Sequence, residues 1–463
     1  MNIRESSYGY WSSSPAFLWV AVGAMIGVGN AVRLPYLMSE YGGVLFLGVY
    51  LLGLALVGLP LLLAEWMLGR WMRDDLIAGY ARLVEAAKAR RVWLGIGGLA
   101  LLTAGLILSY YSVIAGWSLA YGFRAASGSF GQLTQEGARA VFLGVAQDPE
   151  RSLSWHTLFM VAVCVIVSHG FREGVERAAR RMVPAALLIA VLMCLYAMRN
   201  RDGLAAYEYF IAPHPEKLTW RGVIEGLHHG FFTLGLGMGV MMGLGSYLPV
   251  SAPIRRIAVA AILVDTAFSL LAGLAVYSVV LGAGLEPGTG ISLMFETLPR
   301  AVGGDFGASL FATALYFLLF IVTMTSATAM LEPVSRYFMD RQRWTRVFAA
   351  TCAALLIWFV GLGTLLSFSV MQDLRLWGRN FFEWVQLLTA SWFAPIDGLL
   401  ICVFVVSIMP RDLVRTLWGA ELQPWLYKLW FGLLRYPARL GLIVVLLYAL
   451  GIIDWLISLW SVA

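Results

Sequence analysis

The chain has 463 residues, 60% of them apolar and 13% charged, with a mean hydropathy of +0.78. A soluble domain could not hide that much apolar surface, so the composition belongs to the membrane class. The net charge of +6 does not mark a nucleic-acid binder, because the basic residues form no tail and sit between apolar segments, where topology accounts for them.

A helix of about 20 apolar residues crosses the hydrocarbon core. Stretches 43–66, 96–123, 183–198, 257–282, 306–330 and 440–460 meet that standard. Reading apolar runs against Pro, Gly and charge predicts about eleven spans. They centre near residues 26, 55, 108, 162, 190, 237, 269, 320, 357, 396 and 450. The stretch 124–153 reads as one external loop with room for a short helix. Placing the N-terminus inside gives the inner side roughly two Lys or Arg for each one outside, and an odd span count leaves the C-terminus external.

The first apolar segment is broken by glycines and keeps Asn30 and Arg33, unlike a cleavable signal peptide. Cys164, Cys194, Cys352 and Cys402 lie far apart in apolar segments, so neither a disulfide framework nor a metal cluster is expected. The five histidines (His156, His169, His214, His228, His229) have no ligand spacing, and no hydrolase or phosphate-loop motif occurs, which argues against an enzyme. No repeated pore filter argues for a channel.

Two spans stand apart. The first carries GAMIGVGN (23–30) and the sixth FFTLGLGMGVMMGLG (231–245). Glycine weakens a helix, and unwound backbone in a membrane is tolerable only beside protein or a wet cavity. Either these glycines let helices pack closely, or they mark paired discontinuous helices around a midplane site, each opening one five-span half.

The motifs GVGNAVRLPY (27–36), GLPLLLAEWMLGR (58–70), SYYSVIAGW (109–117), HHGFFTLGLGMG (228–239) and TMTSATAMLEP (323–333) together resemble the neurotransmitter:sodium symporter family, especially its bacterial transporters of hydrophobic amino acids. The resemblance covers about residues 11–397. It implies an all-α inverted-repeat fold: one transporter domain with spans 1–5 in about 14–200, spans 6–10 in about 222–408, and an extra span in about 436–461. The stretch 413–434, with its charges and Pro424, is expected to lie in the interface.

The resemblance also implies a sodium-coupled symporter working by alternating access, in a bacterial inner membrane. Its substrate site would use Ala24, Met25, Gly27, Val28, Gly29, Ile107, Tyr111, Phe232, Thr233, Gly235, Met238, Ser326 and Met330. Tyr111 would donate to a substrate carboxylate. Gly27 stands where relatives for amines carry Asp, which favours an α-amino acid, and the apolar walls favour a hydrophobic or aromatic one. An amine or osmolyte is the alternative cargo. One sodium ion would lie among Gly23, Ile26, Val322, Thr325 and Ser326, a second among Met25, Asn30, Thr233 and Asp265. The family's chloride site maps to Tyr50, His229, Thr233 and Ser269. A carboxylate at Asp265 in place of the usual Asn implies chloride-independent transport. Asp265 should face a cation or carry a proton, or pair with His229.

Gates follow in the same way. Arg33 is expected to pair outside with Glu383. Trp11, Ser246, Tyr247 and Asp340 match the inner gate, where Tyr8 takes the place of the family's arginine and Arg4 could substitute. Glu65 either braces the broken sixth span or pairs with Arg70.

Overall fold

The computed structural model describes residue 5 and residues 8–131, 133–200, 202–302, 306–418 and 423–461. Almost all regular structure is helical, because a helix satisfies its own backbone groups where lipid cannot.

Nine continuous helices among the described residues are long and apolar enough to cross a membrane. They are span 2 (Val44–Met72), span 3 (Arg91–Ala126), span 4 (Pro149–Ser168), span 5 (Phe171–Arg199), span 7 (Ile254–Gly282), span 8 (Phe306–Gln342), span 9 (Arg346–Leu366), span 10 (Phe381–Ile408) and span 11 (Pro424–Ala449). Span 1 is a tenth in two pieces, 1a (Ser14–Met25) and 1b (Val28–Glu40), bent by 63° at the break. In sixth place stand two shorter helices, 6a (Trp220–Phe232) and 6b (Val240–Gly245). Each set of five spans therefore opens with a broken helix, as the paired glycine runs suggest.

Spans 3 and 8 pack along their lengths, and both halves of span 1 lie against span 8. Helix 6b is pressed onto span 2 through small residues: a Cβ on Gly245 would stand 2.9 Å from the Trp66 Cα, and one on Gly69 would strike the Met242 carbonyl. Outward faces keep large apolar side chains such as Leu188, Leu195, Leu263, Leu355 and Phe359, as a lipid-facing surface requires.

Two boundaries differ from expectation. The segment after span 3 folds into a helix at Gln135–Ala146, capped by the Thr134 hydroxyl, and span 4 begins at Pro149. The last long helix runs Pro424–Ala449, not 436–461. Pro424 opens it, since a first-turn proline costs no helical hydrogen bond. Gly451, at φ +72°, separates it from a short helix Ile452–Ser461. The stretch 413–434, expected to lie whole in the interface, is instead divided: its start lies in a short helix, Arg411–Trp418, that buries Val414, Leu417 and Trp418, and its end opens span 11.

Candidate functional site

The break in span 1 is built by Gly27 and Asn30. Helix 1a ends at Met25, with the Ile26 N–H still bonded to the Val22 carbonyl at 2.9 Å. Gly27 is extended, and its N–H donates to Asn30 Oδ1 at 2.8 Å, capping helix 1b. Carbonyls at the end of 1a and N–H groups at the start of 1b thus face the same break. Such helix ends carry partial negative and positive charge respectively. Gly27 and Val28 are half-buried, and Gly29 is exposed with nothing within 4 Å of where a side chain would stand.

Tyr111 of span 3 closes on this break. Its hydroxyl lies 2.9 Å from Ser326 Oγ of span 8. A Cβ on Gly27 would stand 2.8 Å from that same hydroxyl. Residue 27 is therefore held to glycine by a close approach, not by its φ.

Span 6 breaks over residues 233–239, where Gly235, Gly237 and Gly239 have φ of +65°, +68° and +70°. These left-handed angles suit glycine alone without strain. Glu65 Oε1 accepts from the Gly237 N–H at 2.8 Å. Arg70 donates instead to the Val250 and Leu417 carbonyls, so the alternative Glu65–Arg70 pair does not form. The two breaks meet where a Cβ on Gly235 would lie 3.9 Å from the Ala24 carbonyl oxygen. Of the remaining expected lining, Ile107, Met238 and Met330 are buried and Phe232 is half-buried.

Several side chains of each expected cation constellation lie against one another. Gly23 packs on Thr325, with its Cβ position 3.4 Å from Thr325 Oγ1. Thr325 and Ser326 hydroxyls donate to the Val322 carbonyl at 2.9 and 2.8 Å, leaving oxygen lone pairs free, and Ile26 is buried at the same break. In the second group Asn30 Nδ2 donates to Asp265 Oδ1 at 2.7 Å and to Ser269 Oγ at 2.9 Å. Thr233 donates to Asp265 Oδ2 at 3.0 Å, and Tyr50 reaches the same oxygen at 3.5 Å. Met25 is buried at the end of 1a, five residues before Asn30. Hard cations such as sodium take oxygen ligands, and these groups supply hydroxyls, carbonyls and one carboxylate.

The alternative pairing of Asp265 with His229 does not occur. His229 is buried, and neither ring nitrogen has a partner among the described residues. Its ring lies 5.4 Å from that of Tyr50.

The outer pair differs from expectation. Arg33 Nη2 donates to Glu225 Oε2 at 3.1 Å and lies 3.2 Å from His228 Nδ1. Glu383 instead exchanges hydrogen bonds with Asn380 at 2.9 Å, capping the start of span 10. A carboxylate at the third position of a helix is drawn back to its own N-terminus. The paired Arg33 and Glu225 line one wall of an open cavity of about 240 Å³ that His228 and Glu383 also line.

At the opposite end the N-terminal segment is tied down. Trp11 donates through its indole to the Leu244 carbonyl at 3.0 Å and through its backbone to Tyr247 at 3.1 Å. Tyr247 donates to Glu332 at 2.6 Å, and Glu332 is paired with Arg346. Tyr8 donates to Asp340 at 2.5 Å. The arginine here is Arg336, one turn before Asp340: it bonds Asp340 at 3.3 Å and the Ser246 hydroxyl. Arg4 lies outside the described residues. Sequence reasoning missed Arg336, Glu332 and Glu225; the (i, i+4) spacing of Arg336 and Asp340 was the available signal.

A model of the sodium:neurotransmitter symporter family matches residues 8–133 and 146–409. The sodium-dependent transporter YhdH of Bacillus subtilis is 32% identical over 448 residues, covering 96% of this chain and 98% of the relative. A sodium-dependent transporter of Haemophilus influenzae is 23% identical, over 94% of this chain and 96% of its own. The crystal structure of MhsT in complex with L-phenylalanine superposes with a TM-score of 0.86 at 30% identity, covering 96% of this chain and all of that one. The ten-span core is thus the inverted-repeat architecture expected from the broken spans. The chain belongs to the sodium:neurotransmitter symporter family and is a multi-pass, sodium-dependent membrane transporter.

Proposed function

We propose that this transporter is a symporter that imports α-amino acids with bulky apolar side chains. The observation that carries this reading is the 2.8 Å approach of the Gly27 Cβ position to the Tyr111 hydroxyl. A side chain at residue 27 would press on that hydroxyl, and glycine brings no carboxylate to receive a ligand amine. The start of helix 1b and the tyrosine hydroxyl instead offer hydrogen bonds and positive potential to a substrate carboxylate. Val28, Ile107, Phe232, Met238 and Met330 supply apolar surface, with Ala24, Gly29 and Gly235 leaving room. L-phenylalanine, the molecule bound to MhsT, is of the same class.

Two sodium ions bind, one at Gly23, Ile26, Val322, Thr325 and Ser326, the other at Met25, Asn30, Thr233 and Asp265. The Asp265 carboxylate stands among Tyr50, His229, Thr233 and Ser269, so the negative charge that chloride would bring is already present. Transport is chloride-independent. The N-terminus is cytoplasmic in a bacterial inner membrane, with the C-terminus external. The tied N-terminal segment then closes the inner side while the Arg33 cavity opens outward. Substrate and sodium enter from outside, and the bundle containing spans 1 and 6 rocks to release them inside. Each sodium ion crossing a 100 mV potential supplies about 2.3 kcal/mol.

The test is uptake of a labelled amino-acid panel into proteoliposomes with an inward sodium gradient, against a potassium control. Sodium-driven accumulation of phenylalanine, leucine, methionine or tryptophan is expected, abolished by Asn30→Ala or Thr325→Ala. Uptake of an amine or osmolyte with no amino acid moved would overturn the substrate class and leave the family intact.

A further inference from the structure

The link between spans 9 and 10 contains a hairpin held in a strained form. Leu376 and Arg379 exchange both backbone bonds, at 2.9 and 3.1 Å, across a turn of Trp377 and Gly378. Both turn residues are left-handed, with φ of +48° and +80°. The glycine takes that angle freely, while a bulky side chain at the first position is strained there. Trp377 is also 82% exposed. The hairpin is nonetheless fixed. The Trp384 indole donates to the Leu376 carbonyl at 2.8 Å, and its ring meets that of Trp377 edge-on at 5.7 Å. A strained tryptophan held out from the protein needs a medium that favours it, and an indole is favoured at the boundary between lipid and water.

Between this hairpin and the start of span 10 lies an open groove of about 500 Å³. Met371, Leu374, Leu376, Phe381, Trp384 and Leu388 line it with Trp377. Its polar lining residues are Ser367, whose hydroxyl is turned to the Thr364 carbonyl at 2.6 Å, and Arg379. Span 9 ends at Leu366 and span 10 begins at Phe381, so the hairpin stands at the bilayer boundary. From Phe381 to Leu388 the groove follows span 10 for about 10 Å toward the apolar layer. The hairpin is cationic. Arg379 is exposed, and Arg375, also exposed, reaches over the turn to the Gly378 carbonyl at 3.5 Å. Asp373, the one acidic residue in 371–380, offsets only one of the two. Glu383 is engaged with Asn380.

An apolar slot that runs into the membrane from a cationic rim fits a lipid. We propose that the groove seats one phospholipid with a net negative headgroup, drawn from the leaflet on the side of the Arg33 cavity. An acyl chain lies along Phe381, Trp384 and Leu388, Arg375 and Arg379 meet the phosphate, and Trp377 packs at the headgroup level. A zwitterionic solute fits less well, because none of the described lining residues is acidic to receive its ammonium group. A second copy of the chain pressed on this face by a two-fold axis would bring the same arginines against one another. Arg379 lines the Arg33 cavity as well as the groove. A seated lipid therefore steadies the start of span 10, whose other face gives that cavity Glu383, Gln386 and Ala390. The site depends on neither the substrate nor the orientation of the chain in the membrane.

The experiment places the purified full-length chain in phosphatidylcholine nanodiscs doped with phosphatidylglycerol that carries a photoactivatable diazirine on one acyl chain. After irradiation and proteolysis, mass spectrometry should find lipid adducts on residues 371–388 well above those around Leu188 and Leu195, exposed side chains of span 5 that meet bulk lipid. The same diazirine carried on phosphatidylcholine should label 371–388 severalfold less. Arg379→Gln changes an exposed side chain and keeps the backbone pairing. It should lower phosphatidylglycerol labelling of 371–388 severalfold and leave span 5 unchanged. Leu388→Trp, which fills the groove, should do the same, and Arg379→Gln decides alone should that variant fold poorly. The melting temperature of the wild type should be higher in phosphatidylglycerol than in phosphatidylcholine nanodiscs, and that of Arg379→Gln the same in both. Labelling of 371–388 at the level of span 5, equal from the two lipids, or unchanged in Arg379→Gln would overturn the proposal. Cross-links between two copies of the chain through this segment, in place of lipid adducts, would overturn it as well.

Discussion

Asn30 turns its amide nitrogen to Asp265 at 2.7 Å and its amide oxygen to the Gly27 N–H at 2.8 Å. One side chain therefore caps the second half of span 1 and anchors it to a buried carboxylate on span 7. Any change at Asp265 reaches the break in span 1 through that amide.

Asp265→Asn removes the negative charge from the cluster around Tyr50, His229, Thr233 and Ser269. We expect sodium affinity to fall about tenfold or more, an effect on the order of 1.4 kcal/mol, and chloride to restore part of it. Uptake with gluconate replacing chloride measures this. A variant that remains indifferent to chloride would show that the carboxylate does not substitute for the anion.

Gly27→Ala should weaken substrate binding strongly, because its Cβ meets the Tyr111 hydroxyl at 2.8 Å. Overpacking of this kind costs about 1–3 kcal/mol. Tyr111→Phe removes the colliding oxygen along with a hydrogen-bond donor. The two substitutions in contact should therefore be non-additive, with the double variant binding better than the sum predicts. Calorimetric titration of the four proteins reads the coupling; strict additivity would argue that the residues do not meet.

Arg336→Ala should open the end of the molecule that holds the N-terminal segment. The guanidinium is 3% exposed and bonds both Asp340 and Ser246. Removing one partner of a buried ion pair costs about 3–5 kcal/mol. Thiol labelling of Ser246→Cys, buried in the parent, should accelerate in the Arg336→Ala background.

Glu225→Gln and Glu383→Gln separate the two carboxylates of the outer cavity. The Arg33–Glu225 pair has side chains 35% and 18% exposed, so its loss is worth about 1 kcal/mol or less. We expect Glu225→Gln to change substrate association and dissociation rates severalfold with little change in melting temperature. Glu383→Gln should leave those rates alone, since Glu383 is engaged with Asn380. Stopped-flow binding decides between them, and the reverse pattern would restore Glu383 as the partner of Arg33.

Much of the architecture was legible because lipid permits few solutions. Long apolar runs at 43–66 and 257–282 had to become helices, and the glycine runs at 23–30 and 231–245 had to be either tight packing or breaks. Both proved to be breaks with glycine-specific geometry nearby. Gly235, Gly237 and Gly239 take left-handed angles, and Gly27 faces a tyrosine hydroxyl. The end of the chain was less legible. Pro424 reads equally well as a helix breaker or a helix opener, and only its position in the first turn of span 11 distinguishes them.

The sequence by itself determined the elements and the chemistry they carry: which segments enter the membrane, where two of them break, and that Asp265, Glu65 and Arg33 need partners. Those needs follow from the cost of an uncompensated charge in an apolar medium, which any chain order must meet. The identity of each partner was decided by tertiary structure alone. Arg33 meets Glu225 rather than Glu383, Arg336 joins Tyr8 at Asp340, and of the two readings open to Glu65 it is the bond to Gly237, not a pair with Arg70, that forms. Hydrogen bonds and ion pairs act over about 3 Å, and contacts that short depend on how helices distant in sequence are rotated and tilted against one another.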